Sequence, residues 1–127
     1  MAKVLVIDDD PRLRRVVRRM LQRGGHEVVE AQDGVEGTLR FGADHPDIVI
    51  TDISMPGKEG IETILDLRRQ NSSIPILVIS GSDDRSQTYL QFAQKLGADA
   101  ALTKPLLAED LIREIDKLLV PKKPARR

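Results

Sequence analysis

Short aliphatic runs and amphipathic segments alternate along the 127-residue chain, and this alternation predicts its fold. Five short runs rich in aliphatic residues are typical of buried strands in a parallel sheet. They occupy residues 4–7, 27–31, 47–51, 75–79 and 98–103. Because helical patterns alternate with these runs, we expect an α/β fold, a doubly wound three-layer (βα)5 sandwich around a five-stranded parallel sheet.

The first helix is predicted from apolar residues that recur at three- and four-residue spacing. They form one apolar helical face, which comprises Leu13, Val16, Val17, Met20 and Leu21. Pro11 suits the first turn, and Asp10 is interpreted as the residue that caps it.

The remaining helices are predicted over 34–44, from residue 61, over 85–96 and over 109–119. In the segment 34–44 we expect Val35 and Leu39 to face the core, with Phe41 as a further candidate. Glycines at two positions of this segment lower its helix propensity.

The composition argues against several kinds of site and several classes of protein. The chain contains no cysteine, which excludes disulfides and thiolate metal sites. No apolar run reaches the ~20 residues of a membrane span, and the first run is too short for a signal peptide. We therefore expect a cytoplasmic protein without membrane association. The 20 basic and 20 acidic residues cancel, so direct nucleic-acid binding is not expected.

Basic charge is concentrated in two places. Six arginines crowd residues 12–23, which indicates a solvated helix face or, alternatively, a docking surface for an acidic partner. Residues 121–127 are interpreted as a basic tail or the start of a linker. The predicted domain therefore covers 1–120.

Chemically active residues follow four of the predicted strands. Asp8 and Asp9 follow the first strand, and Asp52 follows the third. Ser80 and Lys104 follow the fourth and fifth strands. Because the carboxyl ends of parallel strands meet at one edge of a sheet, we expect these side chains to converge there.

Such a cluster would suit a metal ion and a phosphoryl group. Neighbouring carboxylates repel each other and raise each other's pKa, which a divalent cation relieves. Ligand sets made only of oxygen favour Mg²⁺, with Mn²⁺ as the alternative. An ammonium group and a hydroxyl group would complete a site in which a carboxylate attacks phosphorus in line.

The motifs at these positions resemble those of the receiver domain of two-component response regulators. The resemblance runs from residue 3 to about 119 and has the chemotaxis-type, flavodoxin-like pattern. It is carried by VIDDDP at 6–11, DIVITDISMP at 47–56, GIE at 60–62, ILVIS at 76–80, GA at 97–98 and KP at 104–105. The family implies the strand order 2-1-3-4-5.

The resemblance implies a role for each acidic residue of the site. Asp52 would be the nucleophile that forms an aspartyl phosphate, and it would also be a Mg²⁺ ligand. Asp9 would bind Mg²⁺ directly, and Asp8 would act through a metal-bound water. The backbone carbonyl of Ser54 would complete the metal site.

The resemblance also implies the parts that respond to phosphate. Lys104 would pair with the phosphoryl group, and Ser80 would move to hydrogen-bond one of its oxygens. The peptide bond between Lys104 and Pro105 would be cis, which is accessible before proline. The chain departs from the family at Ala101, where an aromatic residue often couples the site to the surface.

The expected partners are a sensor histidine kinase or a histidine phosphotransfer protein, together with a downstream effector of unspecified kind. We expect a monomer or a phosphorylation-dependent dimer. The domain would not be an enzyme toward other substrates, because it would catalyse only its own phosphorylation and dephosphorylation.

Two alternatives compete with this interpretation. A pseudo-receiver would have the same fold and bind partners without using phosphate, although intact Asp9, Asp52, Ser80 and Lys104 argue against it. A haloacid-dehalogenase-like phosphatase would use Asp8 as its nucleophile. That family has no place for Asp52 and its Met-Pro loop.

Overall fold

The computed structural model describes residues 2–53, 59–81, 88, 91, 93–95 and 97–120. The strands are β1 (Lys3–Ile7), β2 (Glu27–Ala31), β3 (Ile48–Asp52), β4 (Ile76–Ser80) and β5 (Ala100–Thr103). The helices are α1 (Pro11–Arg23), α2 (Gly34–Asp44), α3 (Glu59–Gln70) and α4 (Ala108–Leu119). Within the helix predicted over 85–96, the described residues 88, 91 and 93–95 are helical.

The five strands form one parallel sheet in the order β2-β1-β3-β4-β5. This confirms the predicted fold class and strand order. The central strands β1, β3 and β4 consist almost entirely of buried residues, as expected for strands covered on both faces.

Two apolar layers cover the two faces of the sheet. On one face, Phe41 of α2 and Ile64 and Leu67 of α3 pack with Leu5, Val49 and Val78 of the strands. On the other face, Val17 and Leu21 of α1 and Leu111 and Ile115 of α4 pack with Val6, Ile50 and Leu77. Because successive strand residues point to opposite faces, each aliphatic run supplies both layers.

The expectation for the inner face of α2 was wrong for Val35 and Leu39 and is confirmed for Phe41. Val35 and Leu39 are 74% and 69% exposed, whereas Phe41 is buried. The buried positions include two glycines, Gly34 and Gly37. A methyl group added at Gly37 would lie 2.5 Å from Cδ1 of Ile7, so the missing side chain is what lets α2 approach β1.

None of the helices within the described part of the chain is long and apolar enough to cross a membrane. The proposed division at residue 120 stays a prediction, since the tail at 121–127 lies outside the described residues.

Candidate functional site

The carboxyl edge of the sheet holds the residues that the sequence places after its strands. Asp52 and Ser80 are the last residues of β3 and β4, which each end one residue later than predicted, and both are buried. Asp8 follows β1 directly and is also buried, while Asp9 is exposed. The parallel register pairs Ser80 with Thr103, so Lys104 follows at the same edge.

Three carboxylates meet at this edge. One oxygen each from Asp8, Asp9 and Asp52 lies within 4.8 Å of the other two. Burial raises the pKa of Asp8 from 3.8 to about 7, because its charged form loses hydration. The charges of Asp52 and Asp9 contribute to this raised pKa, while the amide of Asp10 and the ammonium group of Lys104 oppose it.

This donor set fits a hard divalent cation. All three donors are carboxylate oxygens, which Mg²⁺ and Ca²⁺ prefer over the nitrogen and sulfur ligands of zinc sites. A bound cation would also compensate the charge repulsion that accompanies the raised pKa of Asp8. The three residues could therefore hold a metal ion.

Lys104 supplies the positive charge of the site. Its Nζ donates a hydrogen bond to Oδ2 of Asp52 at 3.1 Å. The backbone amide of Lys104 donates to the carbonyl of Ser80 at 2.8 Å, which fixes the residue at the end of β5. The following peptide bond, Lys104–Pro105, is cis.

Two buried hydroxyl groups lie at the carboxyl ends of β3 and β4. Among the described residues, Oγ of Ser80 and Oγ1 of Thr51 have no hydrogen-bond partner. Buried hydroxyls are normally paired, so an unpaired one calls for an explanation. Ser80 is the residue that the family resemblance assigns to phosphoryl contact, and a ligand would provide the missing partner.

The loop between β1 and α1 is held by its own side chains. Oδ1 of Asp8 accepts the amide of Asp10 at 2.8 Å. Oδ1 of Asp10 in turn accepts the amide of Arg12 at 2.9 Å, which makes Asp10 the N-cap of α1, as predicted.

Other predicted positions have different outcomes. Ser54 lies outside the described residues, so its carbonyl stays a prediction. Ala101 is half-buried on β5 and packs against the apolar layer that contains α2 and α3. In the arginine-rich segment, Arg14 and Arg18 pair with Glu30 of β2. The other four arginines, at 12, 15, 19 and 23, are exposed.

Sequence reasoning missed the steric role of Gly60. A methyl group added there would lie 3.1 Å from Cα of Ile53 and 3.2 Å from the carbonyl oxygen of Asp52. The first turn of α3 therefore rests on the backbone of the site. The GIE motif contains this glycine, but the motif was used only for the family resemblance, and the helix was predicted to begin at residue 61.

Arg14 was also missed as part of the site. Its Nη1 donates to the carbonyl oxygen of Asp8 at 2.8 Å. The sequence placed Arg14 in a basic segment and gave no sign that one of the six arginines differs from the others.

Comparisons with known proteins agree with this geometry. Residues 4–116 match the sequence model of the response regulator receiver domain. The response regulator MprA of Mycobacterium avium is 36% identical over 122 residues, which are 96% of this chain and 53% of MprA. The chain therefore spans about half the length of the curated relatives that it matches.

Solved structures give the same result. A response regulator receiver domain protein from Clostridium thermocellum superposes with a TM-score of 0.84 at 30% identity, covering 94% of each chain. The chemotaxis protein CheY4 of Vibrio cholerae superposes with a TM-score of 0.84 at 33% identity, covering 94% of this chain and 99% of CheY4. The chain thus belongs to the receiver domain family of two-component response regulators.

Proposed function

We propose that this domain accepts a phosphoryl group on Asp52 in a Mg²⁺-dependent reaction and then changes its interaction surface. The observation that carries the proposal is the convergence of the carboxylates of Asp8 and Asp9 on Asp52, with the Lys104 ammonium group 3.1 Å from Oδ2 of Asp52. A nucleophilic carboxylate, a cation site and a fixed positive charge are what in-line phosphoryl transfer requires.

In the proposed reaction, a carboxylate oxygen of Asp52 attacks the phosphorus of a phosphohistidine. The O–P bond forms as the N–P bond breaks, and the leaving imidazole nitrogen takes up a proton from water. Mg²⁺, when bound, would neutralise charge on the phosphoryl oxygens. Asp9 and Asp52 would hold it directly, Asp8 through a water, and the carbonyl of Ser54 would complete the site.

Lys104 and Ser80 would respond to the new charge. The phosphoryl group adds about −1.5 to −2 charge. Lys104 already contacts Asp52 and would pair with a phosphoryl oxygen. Ser80, whose buried Oγ lacks a partner among the described residues, would donate a hydrogen bond to another. Their movement would shift the population of two surface arrangements.

The expected donor is a sensor histidine kinase or a histidine phosphotransfer protein, and the reader of the surface is an effector. We place the domain in the cytoplasm, which the absence of cysteine from the 127 residues fits. It would act on no other substrate than its own Asp52.

Incubation with acetyl phosphate and Mg²⁺, followed by intact mass spectrometry, tests the proposal. The wild-type protein should gain the mass of one phosphoryl group, and chelation of the metal should prevent the gain. Asp52→Asn should gain nothing, whereas Asp110→Asn, which removes a surface carboxylate on α4, should behave as wild type.

The other outcomes separate the alternatives. No mass gain in the wild-type protein would make the domain a pseudo-receiver. A gain that survives Asp52→Asn but not Asp8→Asn would indicate phosphatase-like chemistry at Asp8, which the family match already argues against.

A further inference from the structure

Arg14 of α1 connects three parts of the molecule next to the acidic cluster. Its Nη1 donates to the carbonyl oxygen of Asp8 at 2.8 Å, and its Nε donates to Oε1 of Glu30 at 3.0 Å. The side chain is only 18% exposed. One guanidinium group therefore joins α1, the loop after β1 and strand β2.

The contact with Asp8 falls on the peptide group that links the two acidic residues of the loop. The carbonyl of Asp8 and the amide of Asp9 belong to the same planar unit, so fixing that carbonyl fixes the direction in which the chain enters Asp9. The amide of Asp8 donates to the carbonyl of Ala31 at 3.1 Å. Asp8 is thus tied to β2 on both sides, directly through its amide and through Arg14 and Glu30 at its carbonyl.

We propose that Arg14 is a positioning residue that sets the orientation of the metal-binding carboxylates of Asp8 and Asp9, with Glu30 orienting Arg14. This inference rests on the proposed Mg²⁺ site. Outer partners that orient metal ligands commonly control affinity, because a ligand that is already in place loses less entropy when the metal binds.

The geometry requires arginine and not merely a positive charge. The Nε and Nη1 groups donate in different directions from one rigid plane, which allows simultaneous contact with Glu30 and the carbonyl of Asp8. A lysine would keep the charge but present a single ammonium group. Arg14→Lys therefore changes the positions of the hydrogen-bond donors while it keeps the positive charge.

The effect of charge alone has the opposite sign. A positive side chain near a cation site repels the cation, so its removal should strengthen metal binding if only electrostatics mattered. A positioning role predicts weaker binding after the same substitution. The direction of the change in the dissociation constant therefore discriminates between the two.

Arg18 provides a matched control one helical turn away. Its Nη1 donates to Oε2 of the same Glu30 at 2.7 Å, and its side chain is 47% exposed. Its hydrogen bond goes to Glu30, whereas Arg14 also contacts the carbonyl of Asp8. Arg18→Ala removes the same residue type, charge and Glu30 contact from α1 while leaving the loop contact intact.

The test is calorimetric titration of Mg²⁺ and Mn²⁺ into the metal-free wild-type protein and the variants Arg14→Ala, Arg14→Lys and Arg18→Ala. Both Arg14 variants should bind about tenfold more weakly, while Arg18→Ala should stay close to wild type. In the metal-free proteins, the amides of Asp9 and Asp10 should exchange hydrogen faster in the Arg14 variants only. Urea unfolding of all four proteins reports stability separately.

If the wild-type protein binds the metal, the proposed function stands, and three results would still overturn the inference. The first is that Arg14→Ala binds the metal as tightly as wild type or more tightly. The second is that Arg14→Lys binds with wild-type affinity. The third is that the Arg14 and Arg18 variants lose equal metal affinity, in proportion to their loss of stability. A wild-type protein that binds neither metal would overturn the proposed site and the inference together.

Discussion

The two edges of the sheet use their polar groups in opposite ways. At the amino edge, the guanidinium group of Arg68 donates to the carbonyls of Ile74 and Gly97 and to Oδ2 of Asp99. At the carboxyl edge, the buried hydroxyls of Thr51 and Ser80 have no hydrogen-bond partner among the described residues. Nε2 of His26 and Oδ2 of Asp44, at the amino edge, also lack a hydrogen bond within the described residues, but they lie 3.9 and 3.8 Å from charged side chains. The carboxyl edge therefore differs in its two buried hydroxyls, which are unpaired beside the ion pair of Asp52 and Lys104.

The amino edge repeats this internal pairing at further positions. Oδ2 of Asp99 also accepts the amide of Ile76 at 2.8 Å. Oδ1 of Asn71 accepts the amides of Ser73 and Ile74 at 2.8 and 3.0 Å. Polar groups that are satisfied within the fold stabilise it, whereas those left unsatisfied cost free energy until a ligand pairs with them. We infer that these contacts at the amino edge stabilise the fold, and we propose that the unpaired groups at the carboxyl edge take part in ligand binding.

The largest expected effect is the loss of the Arg68 contacts. Arg68→Ala leaves Asp99 without its cation and two carbonyls without their donor, so the free energy of unfolding should fall by about 3 kcal/mol. The Mg²⁺ dissociation constant should not change, because the site lies at the other edge. Urea unfolding and metal titration measure the two quantities.

Arg69→Ala is the control for this variant. Arg69 is 73% exposed, and its ion pair within the described part of the chain is with Asp66 in the same helix. Its removal should cost less than about 0.5 kcal/mol. Similar losses for Arg68→Ala and Arg69→Ala would contradict the stabilising role of the amino edge.

The next largest effect has the opposite sign and comes from Asp8. Its pKa is raised from 3.8 to about 7 in the folded protein, so between these pH values the folded state binds more protons than the unfolded state. The free energy of unfolding should therefore fall as pH rises from about 4 to about 7. Asp8→Asn should remove this slope and be more stable than wild type at pH 8.

Urea unfolding from pH 4 to 8 without divalent metal measures this slope. Asp8→Asn should at the same time lose Mg²⁺ affinity, while Asp110→Asn should keep the wild-type slope. A slope in Asp8→Asn equal to that of wild type would show that burial of Asp8 is not its cause.

Gly60→Ala should affect stability and the site together. The added methyl group would press on the backbone of Asp52 and Ile53, which cannot turn away as a side chain can. We expect a loss of about 1.5 kcal/mol and slower phosphorylation by acetyl phosphate. In Gly42→Ala the nearest atom to the new methyl group is Oε1 of Gln70 at 3.5 Å, an ordinary contact.

Gly42→Ala should therefore gain up to about 1 kcal/mol, since alanine favours the helix. A neutral or stabilising Gly60→Ala with wild-type phosphorylation would contradict the close approach of α3 to the site.

The smallest expected effect concerns the unpaired hydroxyl of Thr51. Thr51→Val removes it with little change of shape, so stability should stay equal or rise by up to about 1 kcal/mol. Thr38→Val is the control, because Oγ1 of Thr38 donates to the carbonyl of Gly34 at 2.9 Å and its loss should cost about 0.5 kcal/mol. Thermal unfolding of both variants measures these changes in stability. A cost above 1 kcal/mol for Thr51→Val would mean that the hydroxyl has a partner.

The sheet and most of the site could be predicted because each depends on local sequence. Aliphatic runs mark buried strands, and the structure places their ends within two residues of the prediction. Asp8, Asp52 and Ser80 lie at strand ends, and the parallel topology alone brings these ends to one edge.

The features that were missed depend on contacts between distant residues. In α2, apolar residues were expected on the buried face, so Val35 and Leu39 were predicted to lie there. The buried position is instead Gly37, because only a residue without a side chain allows the close approach to Ile7. Arg14 could not be told from its neighbours, because its role depends on Glu30 and the Asp8 carbonyl meeting in space. Periodicity identifies the buried face of a helix only when that face is filled by large side chains.

The most direct test of the contrast between the two edges is the free energy of unfolding at pH 8 with and without saturating Mg²⁺. If the carboxyl edge holds groups that await a ligand, Mg²⁺ at 100 times its dissociation constant should stabilise wild type by about 2.7 kcal/mol. Arg68→Ala should gain the same amount, and Asp52→Asn should gain much less. Equal stability of the wild-type protein with and without Mg²⁺ would contradict the account.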